Sequence, residues 1–106
     1  MRTSARGRLL PSSIAPMSGE HVEELVHMGE VIIEQILSGV VDEPVDYNQD
    51  HDEWVVLLEG SAELEVNGER LLLEQGDWVL LPRRTPHRLI RNTQGTNWLA
   101  VHVTSQ

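Results

Sequence analysis

Tyr47, Gln49, His51 and Glu53 occupy every second position of one short stretch, which then runs into the apolar residues Trp54 to Leu58. Alternate side chains of a regular strand share a face, so this spacing aims a phenol, an amide, an imidazole and a carboxylate the same way, with Val55 and Leu57 continuing that side. Polar groups leading into apolar ones fit the mouth and floor of a cavity, where burial without partners costs a few kcal/mol per group. A divalent metal such as Fe, Mn, Ni, Zn or Cu could satisfy them, because neutral imidazole nitrogen and carboxylate oxygen suit such ions. Strands distant in sequence can add ligands. His87, fixed by the turn residues Pro82 and Pro86, is one candidate, and His102, which shares a face with Trp98 and Ala100, is another.

Each of these residues also has a plainer reading. His51 lies in the acidic run NQDHDE and can be a solvated loop histidine, while Glu53 can pair with Arg88 or Arg91. Gln49 and His102 can hydrogen-bond inside a barrel with no metal present. Tyr47 and Trp98 are expected to line the pocket, and Trp54 and Trp78 to pack in a core or a subunit interface. Arg83, Arg84, Arg88 and Arg91 gather around His87, whereas residues 20–59 carry 12 acids and no arginine. Those arginines either form scattered ion pairs or hold a carboxylate substrate at the cavity mouth. His21 and His27 receive no role. No serine stands with a histidine and an acid as a triad, and no glycine-rich stretch precedes a helix to hold phosphate.

The elements that must position these groups read as strands. From Glu53 onward, apolar runs alternate with turn signals, and in SAELEVNGER the alternation of Ala62, Leu64 and Val66 ends at Asn67-Gly68, a pair that tolerates positive φ in a two-residue hairpin. Short strands at a spacing of roughly ten residues imply an all-β antiparallel sandwich or barrel. Upstream, Val22, Leu25, Val26, Gly29, Ile32, Ile33 and Ile36 fit helical spacing, yet Val31-Ile32-Ile33 is β-branched, so a short helix or turn through Leu25 and a strand from about Glu30 to Ser38 are expected. Residues 1–18 lack apolar periodicity and read as a flexible tail, with the domain spanning 19–106.

A chain of 106 residues suits one domain. Its 17 acids against 8 arginines give a net charge of -9, which repels nucleic-acid backbones and anionic lipid heads. Without cysteine or lysine, disulfides, thiolate ligands and Schiff-base chemistry are excluded. The start offers neither a signal h-region nor a membrane span, so a soluble, cytoplasmic protein is expected. The strand EVIIEQILS has two apolar sides that cannot both face one small core, and exposed sheet edges add to the expectation of a homodimer.

Residues 47–103 resemble the cupin superfamily of small jelly-roll barrels. Glu53, six residues and Gly60 match the end of its first motif; Gly76, five residues, Pro82 and then His87 match its second. Tyr47 and Gln49 hold the positions of the family's two first-motif histidines, and His51 sits two residues nearer the glutamate. The first motif's opening glycine is missing, Arg84 stands for a glycine of the second, and Asn92 comes one residue late. The resemblance implies a jelly-roll barrel binding a divalent metal through a set drawn from Gln49, His51, Glu53, His87 and His102, together with a small polar ligand. As an enzyme it would be a metal-dependent dioxygenase or isomerase. The other reading is a non-catalytic ligand-binding or sensor module whose cavity is a metal-free hydrogen-bonded network.

Overall fold

The computed structural model describes residues 4–104, which form nine strands and one 3-10 turn. All pairings are antiparallel, in two sheets that face each other as a jelly-roll barrel. The first sheet has the order β1-β2-β9-β4-β7, from Glu20–Met28, Val31–Ser38, Thr96–Val103, Asp52–Glu59 and Trp78–Leu81. The second has the order β3-β8-β5-β6, from Val45–Tyr47, His87–Asn92, Ala62–Val66 and Glu69–Leu73. Alternation sends Val55, Leu57, Leu64, Leu81, Leu89, Trp98 and Ala100 into one core between the sheets. No helix among the described residues is long and apolar enough to cross a membrane.

The turn chemistry reads directly from the residues. Asn67 and Gly68, at φ 50° and 81°, close the β5-β6 hairpin with Val66 opposite Glu69. Gly29, at φ 58°, opens the two-residue turn that sets Met28 opposite Val31. Residues 20–28 are therefore a strand and not the expected helix or turn through Leu25. The reason lies in a bulge between Glu24 and Val26. One extra residue interrupts the alternation of two, so Val22, Leu25 and Val26 mimic helical spacing in the sequence. The single helical turn is Ser12–Ile14.

The expected tail begins with three residues that lie outside the described ones. Farther along, Gln35, fully buried, accepts a hydrogen bond from the Leu10 amide at 2.8 Å and donates to the Leu10 carbonyl and the Asn97 amide oxygen, each at 2.9 Å. Asn97 donates to Ser12 Oγ at 3.1 Å, and Gln94 to the Pro16 carbonyl at 2.8 Å. Residues 10–16 thus lie as a strap over one end of the first sheet's outer face. Residues 5–9 continue to β1, where they share a cleft with Leu25 and Val26, and toward β4 and β7 the face stays open. Ile33, Val101, Trp54 and Leu80 stand opposite one another in a row across β2, β9, β4 and β7, and Leu99, Val56 and Trp78 make the next row. Trp78 and Leu80 are 61% and 56% exposed, and the rings of Trp54 and Trp78 meet with centroids 6.1 Å apart.

Candidate functional site

Glu53 anchors the site because β4 is a central strand with Val55 and Leu57 on the same inward face. A cavity of about 210 Å³ opens between the sheets at this end of the barrel. Its polar lining is Glu20, Glu34, Tyr47, Gln49, Glu53, His87 and His102, and its apolar wall includes Val55, Leu81, Leu89 and Trp98. Of the residues expected at the site, Tyr47, Gln49, Glu53, His87, His102 and Trp98 line one space. His51 does not line it.

The displacement of His51 has a simple cause. β3 ends at Tyr47 and belongs to the second sheet, while β4 starts at Asp52 in the first, so residues 48–51 form the link between sheets and not one regular strand. The shared face expected from alternation breaks there. His51 instead reaches His102 from outside, its Nε2 lying 2.8 Å from His102 Nδ1 with the rings edge to face. His102 Nε2 in turn meets Glu34 Oε1 at 2.8 Å. A carboxylate can only accept, so the Glu34 contact fixes a proton on His102 Nε2; Nδ1 of the neutral ring then accepts from His51 Nε2–H.

His87 is held differently. Its Nδ1–H donates to the Thr85 carbonyl at 2.9 Å, and its ring stacks on Tyr47, its cross-strand partner, at 5.3 Å between centroids. Nε2 therefore carries an open lone pair. Tyr47 donates its hydroxyl to Glu20 Oε1 at 3.3 Å, and Glu20 also accepts from Ser38 Oγ at 3.1 Å. Glu53 is 8% exposed and has no hydrogen-bond partner among the described residues. Burial raises its pKa above the ordinary carboxylate range, against the opposing attraction of His102, His87 and His51.

Tyr47 gives a clean test of this electrostatic setting. Burial, and then the negative charge and hydrogen bond of Glu20, push its pKa from 10.0 up to about 12. It is the only tyrosine in the chain, so an ultraviolet titration reads it alone. The expected result is one phenolate transition near 12 in the folded protein, against about 10 in denaturant. The sign follows: a folded pKa above the unfolded one gives stabilisation that is whole below pH 10 and is lost as pH climbs through about 12. Titration near 10 in the folded state would contradict the burial of Tyr47 against Glu20.

The expected metal set does not assemble as one group. Among the described residues no three His, Asp or Glu side chains are arranged to hold a metal ion. Both nitrogens of His102 are occupied by hydrogen bonds, and His51 lies outside the cavity. Nor does an arginine reach the ligand space. Arg88 pairs with Asp46 at 2.6 Å, Arg70 and Arg91 clamp Glu63 at 2.8 and 2.7 Å, and the exposed Arg84 lies 4.0 Å from Asp50. Of the arginines around His87, Arg84, Arg88 and Arg91 form ion pairs.

Two polar lining residues escaped the sequence reading, Glu20 and Glu34. Glu34 alternates with Ile36 on the inner side of β2, and a charged residue at a core-facing position of an apolar strand is the signal that pointed to it. Two motif departures also find their causes. Arg84 takes the left-handed φ of 60° at the position where the resemblance expects glycine, and its amide bonds the Gln49 carbonyl at 2.7 Å. Asn92 is one residue late because β8 carries a bulge opposite Glu63 and Leu64. The shift still lands its side chain on the Gly39 carbonyl, at 2.9 Å.

A profile of the cupin domain matches residues 32–103. Among solved structures, a candidate mannose-6-phosphate isomerase from Ralstonia eutropha JMP134 is 27% identical, with 96% of this chain and 100% of that one covered and a TM-score of 0.75. KdgF from Halomonas sp. superposes with a TM-score of 0.70 at 17% identity, over 83% of this chain and 81% of that one. Quercetin 2,3-dioxygenase of Bacillus subtilis (strain 168) is 41% identical over 44 residues, which is 42% of this chain and 13% of that protein. An uncharacterised protein of Aquifex aeolicus (strain VF5) is 38% identical over 47 residues, 44% of this chain and 38% of its own. The match thus spans well under half the length of both curated relatives.

Proposed function

Because the chain belongs to the cupin family, we propose that its barrel binds a small polar molecule and exchanges a proton with it through Glu53 and His87, the chemistry of an isomerase. The observation that carries this reading is Glu53, a buried carboxyl without a hydrogen-bond partner, raised in pKa, in a cavity it shares with the open Nε2 of His87. A carboxyl whose pKa burial raises and an imidazole acceptor suit general acid and base roles. Tyr47 stacks on His87 and orients it, and Trp98 and Leu89 help wall the space from water. The likeness to a candidate mannose-6-phosphate isomerase supports a small-molecule site and leaves the substrate open.

Deuterium uptake tests the proposal. Small hydroxy-carbonyl compounds incubated with the protein in heavy water are expected to exchange a hydrogen next to the carbonyl, and Glu53→Gln or His87→Ala is expected to lower that rate by about a hundredfold. Binding of the same compounds with no exchange would overturn the enzymatic reading and leave the non-catalytic ligand-binding module.

The divalent metal that the family implies meets no preformed three-ligand group, and no step is assigned to it. Metal analysis of protein purified without a nickel column reads this point. One metal per chain, lost in His87→Ala, would replace the metal-free network with a metal site.

We further propose that the chain is a homodimer joined through the open outer face of the first sheet. The two apolar rows, about 7 Å apart along the strands and up to about 19 Å across at usual strand dimensions, would form the apolar centre of an interface of roughly 800 Å² per partner. Two rows without charged side chains put no like charges in direct contact across a two-fold interface, which leaves the salt-screened repulsion of two net charges of -9 for the apolar contact to overcome.

A further inference from the structure

The charges around the cavity are all of one kind. Glu20, Glu34 and Glu53 line it, and among the described residues no arginine does; lysine is absent from the chain. A carboxylate or phosphate entering this space would meet no fixed cation. His102, even when protonated, is matched by Glu34 at 2.8 Å, and His87 in its neutral form turns a lone pair to the cavity while its proton stays with the Thr85 carbonyl. Glu20 is partly satisfied by Tyr47 and Ser38. Glu53 has no protein donor: it is more than nine-tenths buried, lines the cavity, and lacks a hydrogen-bond donor among the described residues.

Resting on the small-molecule reading above, we infer that the cavity selects its ligand by charge: it takes a small donor-rich molecule that is neutral or, better, carries an ammonium group, and it rejects anions. The donors of such a ligand complete Glu53 and share Glu20, and a positive charge finds two carboxylates beside a wall of low polarity, where attraction is weakly screened. The stacked Tyr47 and His87 rings and the Trp98 indole add aromatic surface of the kind that holds an ammonium. The global charge of -9 steers cations toward the protein and anions away from it. For this chain, a phosphorylated substrate is therefore the wrong class, despite its likeness to a candidate sugar-phosphate isomerase.

Propylamine, propanol and propionate are nearly one shape with three charges, and they make the test. Titrated into the full-length protein at near-neutral pH and followed by amide and indole NMR shifts of the cavity residues, propylamine is expected to bind at least tenfold more tightly than propionate, with propanol between them. Glu53→Gln is expected to remove most of that ratio, while Glu65→Gln, a change of equal charge on the second sheet away from the cavity lining, leaves it in place. Propionate binding as tightly as propylamine would overturn the inference while the small-molecule site stands. Shifts in no cavity residue with any probe would overturn the site itself, and the inference with it.

Discussion

Trp78→Asp together with Leu80→Asp is expected to turn the proposed dimer into a monomer, weakening association by more than a hundredfold. Both side chains are mostly exposed in the single chain, so the change spares the core; their rows continue inward to Trp54, Val56, Leu99, Val101 and Ile33. A two-fold interface doubles the effect, because each copy brings both carboxylates into the same apolar contact. Taking a carboxylate out of water with no partner costs several kcal/mol, and here four would be so placed. Light scattering at micromolar concentration reads the change, with thermal unfolding as a check that the monomer stays folded. A wild-type monomer, or a double variant that still dimerises, would remove the sheet face as the interface.

Gly39→Ala is expected to destabilise the fold by about 1–3 kcal/mol, the range of substitutions that overfill a packed site. A Cβ at this position would lie 2.5 Å from the Pro16 carbonyl oxygen and 2.7 Å from the Met17 backbone. Gly39 cannot retreat, since its amide donates to the Gly19 carbonyl at 2.8 Å and its carbonyl accepts from Asn92 at 2.9 Å. The strap must lift instead, which also exposes Gln35 and Asn97 to the loss of their Leu10 and Ser12 partners. Chemical denaturation measures the loss, and early hydrogen exchange at Leu10 would show that the strap is what yields. An unchanged midpoint would mean that the strap contributes nothing to stability.

Strands were legible where one face is buried and the alternation of two runs undisturbed, as from Asp52 through Val66 and again from Thr96 to Val103. They were illegible at β1, where a bulge shifts the phase and most side chains are exposed. Glu53, His87, His102 and Trp98 could be placed in one cavity because strand parity and motif spacing agree on them. His51 could not, since its address depends on where the chain leaves one sheet for the other, and nothing in NQDHDE marks that crossing. For Glu34 the local sign, a charge at an inward position of an apolar strand, marks the residue but not its role, because its partner His102 lies 68 residues away.

The position of β9 between β2 and β4 bears on how the protein comes to be made. Of all the barrel strands it leaves the ribosome last, yet it fills the middle of its sheet and brings both Trp98 and His102. Until residues 96–103 emerge, β2 and β4 each present an open edge to any neighbouring strand, and the pocket has no inner wall. The nascent chain is thus a set of hairpins waiting for a closing element, a state prone to pairing with the wrong partner and suited to chaperone capture. Long-range closure of this kind is slow, in the range of milliseconds to seconds for β-sandwich topologies. Ligand binding therefore waits on β9, and a nascent chain stalled before it would be expected to aggregate without forming the pocket.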